Sequence, residues 1–409
     1  MAGVRTQGRR DWRVLVGLFF AGWMVMYANR TVLSAAMKLL EQEWSLGPAG
    51  LGLINSAFFF AYALMQVPAG VLADRLSRPM VLLTGWFLQA AGTVAGAFCP
   101  SVALFAVARV ATGLGQGTYY STQYALATAS VPPERRARAL ALINWGMSAG
   151  ILAGWALGAL LLYRWNVPWR WVFLILGLVT AGLGVVMLVA VREDPRSRPA
   201  AVPAREATTA GWGGGGRTLV LACATSFCSM YAFYVLLTWL PFYLQAARHL
   251  DGGEAGLVSA LVPLLSIPAS LLAAAWCDRP ASGTGGRTAG SRRGAALAVL
   301  LPVSAGAVLL VGLAPGRAPL YGGVLLYGLT GKLVVDPLLV AEVAAATPAE
   351  AYASVFGVLN LASTVPTFLA PAVTGWLVDL TGTFEVAFAL AAVLLAIGTG
   401  TAVGLRRSR

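Results

Sequence analysis

The chain is poor in charge, in acid and in histidine. Of 409 residues only 11% are Asp, Glu, Lys or Arg, with 16 acids against 29 bases and one histidine, His249. So little charge cannot cover a soluble domain, and 58% hydrophobic residues with a mean hydropathy of +0.74 put the chain in a bilayer. A single histidine excludes a histidine proton relay. The four cysteines, Cys99, Cys223, Cys228 and Cys277, have neither CxxC spacing nor a histidine partner, so a zinc or redox site is not expected and they read as small apolar residues. "GGGG" before Arg217 lacks the following Lys-Ser/Thr of a nucleotide-binding loop, and no GxxxxGK[ST] occurs, so ATP hydrolysis is excluded. "GMSAG", 146–150, matches G-x-S-x-G around Ser148, but a nucleophile elbow needs a strand-to-helix turn and a nearby base. Here the run lies within an apolar helix, so no enzyme, cofactor or metal is expected.

What is present is apolar length. Runs free of Asp, Glu, Lys and Arg cover 44–73, 79–108, 110–133, 139–163, 171–191, 218–247, 255–277, 294–316, 351–378 and 386–405. A helix needs about 20 apolar residues to cross a bilayer. With a first helix over 13–37, a tenth over 318–345, and 79–133 divided near Pro100, the reading is twelve transmembrane helices in an all-α membrane protein. The first run is long and is followed by "NRTVLSAA" rather than a small-residue cleavage site, so it is expected to remain.

The net charge of +13 has a membrane explanation rather than a nucleic-acid one. With both termini in the cytoplasm, tails and inward loops hold 21 of the 29 Lys and Arg, and outward loops hold five: Lys38, Arg164, Arg170, Arg248 and Arg317. That is the positive-inside asymmetry. It predicts a multi-pass protein of a bacterial-type inner (plasma) membrane. Three cations remain within spans: Arg30, Arg109 and Lys332.

Six spans precede residue 192 and six follow 217. The organisation read is 1–191, a six-helix bundle; 192–217, a flexible cytoplasmic linker rich in Pro, Gly and charge; and 218–409, a second six-helix bundle. "GVLADRLSR" after the second span and "AAWCDRP" after the eighth repeat an Asp-Arg pair. Paired six-helix halves are the pattern of transporters that rock about a midplane site. At "LINSAFFFAYALMQVPAGVLADRLSRPMVLLTG" the chain resembles the major facilitator superfamily. Gly70, Asp74, Arg75 and Arg78 resemble its signature loop, which implies a cytoplasmic latch with basic residues such as Arg138 in "PPERRARA" and a close helix approach at Gly70. "YANR", "RVATGLGQG", "LTWLPFYL" and "NLASTVPTFLAPAVTGWLVDLTGTFEVAF" resemble the anion:cation symporter branch, which includes sugar-acid carriers. In that branch helix one reads Tyr-x-Asp-Arg and helix four Arg-x3-Gly-x2-Glu, the acids being the implied proton carriers. Here those positions are Asn29 and Gln116, so the resemblance does not carry proton coupling with it. "GLGQG" is also similar to the organophosphate:phosphate antiporters.

The residues themselves point to an anion. Arg30 lies 17 residues beyond Arg13, roughly 25 Å along a helix, and a buried Arg needs water, a counter-ion or a ligand. Tyr27 and Ser34 share its face. Taken alone Arg30 also fits a snorkelling side chain near Lys38. Arg109, at comparable depth, changes that, because the first six spans so bounded hold no acid. Two unneutralised guanidiniums suit a carboxylate or phosphate. Lys332 with Asp336 one turn on reads either as an intrahelical pair or as a third contact to the anion, with Asp336 the remaining proton-carrier candidate; Glu342 reads as part of the cytoplasmic surface or gate. Tyr62, Gln116, Tyr120, Asn144, Tyr231, Tyr234, Trp239 and Asn360 are candidate pocket residues. Gly146, Gly150, Gly154 and Gly158 repeat every fourth residue, a close-packing seam expected where the halves slide. The expectation is an alternating-access carrier of a small organic anion, by exchange or uniport, functional as a monomer. Proton symport of a sugar acid, phosphate or organophosphate exchange, and a non-transporting anion sensor are the alternatives.

Overall fold

The computed structural model describes residues 12–191, 216–277, 287–313, 315–347 and 352–407. Among them every regular element is helical. The helices are α1 (Trp12–Trp44), α2 (Pro48–Arg75), α3 (Arg78–Ala97), α4 (Val102–Gly117), α5 (Tyr119–Ser130), α6 (Pro133–Gly158) and α7 (Trp169–Ala190). After the gap come α8 (Gly216–Ala246), α9 (Gly252–Cys277), α10 (Arg287–Leu313), α11 (Arg317–Thr330), α12 (Lys332–Ala346), α13 (Tyr352–Thr381) and α14 (Glu385–Arg407). A π-helical turn, Ala159–Arg164, prolongs α6. Ten segments among the described residues are long and apolar enough to cross a bilayer. α1 and the α4–α5 pair stand beside them as further long helical rods.

Starts follow from local chemistry. Pro48 and Pro133 occupy first helical positions, where a missing N–H costs nothing. Ser77 and Ser101 cap α3 and α4 by accepting from the backbone N–H of Met80 and Leu104. The fourth and tenth rods, read as continuous in sequence, are each divided: α4 meets α5 at Thr118, and α11 meets α12 at Gly331. A Cβ at Gly331 would meet the Tyr327 carbonyl at 2.7 Å and its ring at 2.8 Å. The break makes Lys332 the first residue of α12.

α1 also runs seven residues past its expected end at 37, which brings Glu41 and Glu43 into the helix. Both are bound locally, Glu41 to Lys38 and Glu43 to Arg170, each at 2.5 Å. Residues 192–215 of the expected linker lie outside the described residues, as do Asp278 and Arg279 of the second Asp-Arg pair; Gly216 and Arg217 belong to α8.

Within the first half α1 packs on α6, α2 and α3 on α4, and α3 on α7; within the second, α8 packs on α13 and α14, α10 on α11 and α14, and α9 on α11. Three pairings join the halves: α2 with α13, α6 with α9, and α1 with α8. Their close contacts gather toward the far end, where α1 turns into α2. There Ala49 N–H donates to Asp379 Oδ2 (3.0 Å), Ser56 to the Phe368 carbonyl (2.6 Å) and Ser34 to the Thr238 carbonyl (2.8 Å). A Cβ at Gly52 would stand 2.4 Å from the Pro371 carbonyl, and one at Gly375 2.4 Å from that of Pro48.

Two glycine expectations are corrected. The α6 seam does not lie between the halves: it faces α1, where Cβ atoms at Gly146 and Gly150 would stand 2.3 Å from the carbonyls of Phe20 and Met24, and one at Gly154 2.7 Å from that of Ala28. The small face is spent on docking the site-bearing helix within its own half. Gly70 has no atom within 4 Å of its Cβ position; α2 meets α13 closely at Gly52 and meets α4 at Phe58 and Tyr62.

These distances predict opposite outcomes for two glycines. Gly150→Leu drives a side chain into the α1 backbone and is expected to cost about 1 to 3 kcal/mol of stability, read as a lower unfolding temperature of the purified protein, while Gly70→Ala leaves it unchanged. Equal stability of the two variants would contradict the packing described.

Candidate functional site

The site is built where α4 comes close to α2 and α3, and its glycines make that approach possible. Cβ atoms at Gly113 and Gly117 would lie 2.3 and 2.6 Å from the carbonyls of Phe58 and Tyr62, and one at Gly115 2.5 Å from Gln89 N. With nothing but hydrogen in those gaps, "GLGQG" sets Arg109 and Gln116 against the aromatic face of α2.

Arg30 and Arg109 are 3% and 2% exposed. Arg30 donates from Nε to Gln116 Oε1 at 2.9 Å, while its Nη1 and Nη2 have no hydrogen-bond partner. Its guanidinium carbon lies 4.5 Å from the Tyr62 ring centre, 4.6 Å from Tyr27, 5.5 Å from Phe59 and 5.6 Å from Phe58. Arg109 donates from Nη1 to Asn29 Oδ1 at 3.0 Å, lies 4.2 Å from the centre of the Phe58 ring, and has no partner for Nε. Asn29 is itself held: Nδ2 donates to Thr93 Oγ1 at 2.9 Å, and Thr93 donates to the Gln89 carbonyl at 2.8 Å. Neither arginine makes an ion pair among the described residues. Ring faces and amide oxygens hold both charges, each interaction being worth about 0.5 to 2 kcal/mol.

Across from this cluster, Tyr234 of α8 meets Phe59 edge to face at 4.9 Å. Lys332 is 6% exposed, lies 5.1 Å from the centre of the Phe233 ring and pairs with Asp336 at 2.9 Å, so the intrahelical pair forms. As the first residue of α12 its cation sits at the positive end of the helix dipole, which Asp336 offsets.

The other candidates have settings of their own. Trp239 is sealed in the far-end wall, donating to the Pro371 carbonyl at 3.3 Å and packed on Phe242 and Phe384. Asn360 donates to Gln66 at 3.0 Å. Asn144 accepts from Tyr124 at 2.5 Å, and the Tyr124 ring lies tilted at 45° against that of Tyr120 with centres 4.9 Å apart. Tyr120 is 38% exposed and reaches back toward α1 through Trp23 (6.1 Å). Tyr231 is buried one turn before Tyr234. Ser34, on the Arg30 face, instead bridges the halves through Thr238. Of the expected latch, Arg75 and Arg138 are exposed and Arg78 is half-buried, while the Asp74 side chain lies outside those described. Glu342 is buried at 1% rather than lying on the surface.

Sequence reasoning missed Phe58, Phe59, Gln89 and Thr93. "AFFFAY" carried a usable signal, since Phe58, Phe59 and Tyr62 at i, i+1 and i+4 share a helix face with one another. Gln89 and Thr93 carried none.

A family model described as Major Facilitator Superfamily matches residues 18–371. The chain belongs to the major facilitator superfamily. It is 27% identical to a probable sulfoacetate transporter, SauU, of Cupriavidus necator, over 94% of this chain and 91% of that one. It is also 27% identical to a hexuronate transporter of Bacillus subtilis, over 92% and 90% of the two chains. A crystal structure of a bacterial homologue of the human lysosomal transporter Spinster, inward-facing and occupied, superposes with a TM-score of 0.75 at 17% identity, covering 98% of each chain. That likeness supports the major facilitator fold.

Gln116 is the sole side-chain acceptor recorded for Arg30 Nε. Gln116→Leu is therefore expected to cost about 1 to 3 kcal/mol, measured as a drop in unfolding temperature, whereas Gln116→Glu keeps the acceptor and does not lower it. A Gln116→Leu protein as stable as wild type would show that Arg30 does not depend on this amide.

Proposed function

We propose that the protein is an alternating-access transporter of a small organic anion, which Arg30 and Arg109 hold in the first half and Lys332 meets from the second. The observation that carries the reading is two buried guanidiniums that, among the described residues, have no ion-pair partner and keep unpartnered N–H groups. Buried arginines cost several kcal/mol in a membrane unless a ligand, water or counter-charge compensates them, and an oxyanion matches their donors. The printed names of the relatives, sulfoacetate and hexuronate carriers, are consistent with this class.

Positive-inside charge supports a plasma-membrane protein with both termini cytoplasmic, each chain holding a complete pathway. The far end is then the outer side, and its close contacts between halves describe a carrier closed outward. An entering anion replaces the ring faces of Tyr27 and Tyr62 on Arg30 and draws on Lys332, loosening its pair with Asp336. The two halves then rock about the fixed site. Asn29 and Gln116 are amides and do not titrate, which favours exchange or uniport. Proton symport through Asp336 is the second reading, because that carboxylate, paired with Lys332, is still 31% exposed.

The test is uptake of radiolabelled carboxylates and sulfonates into proteoliposomes, with and without internal anion and with and without an imposed pH gradient, for wild type and Arg109→Gln. Exchange predicts uptake that needs internal anion and ignores the pH gradient. Loss of one charged contact predicts at least about a 30-fold fall in sub-saturating uptake for the variant, from roughly 2 kcal/mol. Uptake driven by the pH gradient would turn the coupling to Asp336; uptake indifferent to Arg109→Gln would overturn the site.

A further inference from the structure

Arg109 is oriented from a helix that carries none of the three central cations. Thr93 of α3 is 2% exposed and lies against Asn29 of α1, itself 3% exposed. The Thr93 hydroxyl donates to the Gln89 carbonyl one turn back at 2.8 Å, so toward α1 its oxygen can only accept. It accepts from Asn29 Nδ2 at 2.9 Å. At the other end of the same amide, Oδ1 accepts from Arg109 Nη1 at 3.0 Å, and a guanidinium can only donate. Both neighbours therefore demand one orientation of the amide, nitrogen to Thr93 and oxygen to Arg109. The helices that bear Thr93 and Arg109 are also seated on each other at this level. A Cβ at Gly92 would stand 2.6 Å from Thr112 Oγ1 and 2.9 Å from the Ala108 carbonyl of α4.

This clamp decides which edge of Arg109 is left over. Asn29 takes Nη1 and the Phe58 ring centre lies 4.2 Å from the guanidinium carbon, while Nε has no partner. Arg30 is held the other way round, by Nε on Gln116 Oε1, with Nη1 and Nη2 left without partners. An arginine head rides on a long flexible stem, and its direction is set by the contacts that restrain it. Without the Asn29 acceptor, the Phe58 ring is the remaining recorded contact of the Arg109 guanidinium among the described residues.

Resting on the anion-carrier reading above, we infer that Thr93 is a positioning residue of the transport site: acting through Asn29, it holds Arg109 with its Nε edge free for the anion. Thr93→Val keeps the shape of the side chain but deletes the accepting oxygen, which leaves Asn29 Nδ2 buried without a partner. The amide loses one of its two restraints, and Arg109 loses a fixed acceptor. Thr93→Ser retains the oxygen and gives up only a methyl group.

The experiment is titration calorimetry of sulfoacetate and of glucuronate on the full-length purified protein, for wild type, Thr93→Val, Thr93→Ala, Thr93→Ser and Arg109→Gln, with the unfolding temperature of each. The anion that wild type binds is expected to bind about tenfold more weakly to Thr93→Val and Thr93→Ala, the effect of one misdirected charged hydrogen bond, and within about twofold of wild type to Thr93→Ser. Misfolding does not imitate this result, because the dissociation constant is read from the binding-competent fraction. Wild-type affinity in both hydroxyl-free variants, or an equal loss in Thr93→Ser, would overturn the inference, whatever happens to the unfolding temperature. If Arg109→Gln still abolishes binding in that case, the anion-carrier reading stands. Absence of wild-type binding by both anions, or binding indifferent to Arg109→Gln, would overturn that reading and the inference with it.

Discussion

Two guanidinium groups are buried with no carboxylate paired to them among the described residues, and much of the first half is arranged so that they can be. Burying an arginine in this way is tolerated only where other groups stand in for the missing anion. Here the substitutes come from three other helices: ring faces from α2, an amide oxygen from α4, and a second amide in α1 that α3 orients through Thr93. Those helices must approach closely, and the glycines of α4 and α6 let them. Transporters built from paired six-helix halves rock largely as rigid bodies about a central site. The α6 seam fits that division of labour, because it locks α1 within its own half rather than lubricating the boundary.

The boundary itself is handled at the far end. An Asp379 carboxylate from α13 accepts from the start of α2, where Gly47 supplies no side-chain cap of its own, and serine-to-carbonyl bonds continue the contact down the helices. These are a few polar bonds, each worth about 0.5 to 1.5 kcal/mol, and they join the halves at that end. The divided fourth and tenth rods stand at matching places in the two halves. Gly331 at the second division puts Lys332 at the head of a separate short helix. Its pair with Asp336 spans the first turn of α12 and so ties the cation to that helix.

Depth was legible in the sequence, and direction was not. Hydropathy runs mark the apolar spans, and a charge inside such a run marks itself, so Arg30, Arg109 and Lys332 stand out at once. The local pair of Lys332 with Asp336 followed from i to i+4 spacing. Which way a residue faces around its helix is set by neighbours distant in sequence, and apolar helices surrounded by lipid and protein show little amphipathic bias to reveal it. Trp239 therefore reads as a pocket residue in sequence yet is sealed in the far-end wall, the α6 glycines face α1 rather than the boundary between the halves, and Gly70 makes no close contact. The breaks at Thr118 and Gly331 escaped because neither carries a proline, the usual sign in a sequence that a helix stops.

The central claim is that an anion sits between Arg30 and Arg109, and the most direct measurement locates one. Crystals of the protein grown with a brominated aromatic carboxylate would show the bromine by anomalous scattering. The account predicts a single strong peak among the rings of α1 and α2, with carboxylate density within hydrogen-bond reach of Arg30 Nη1 and Nη2 and of Arg109 Nε. A peak confined to the basic surface near Arg135 and Arg138, with the two guanidiniums still covered by Tyr27 and Tyr62, would contradict it.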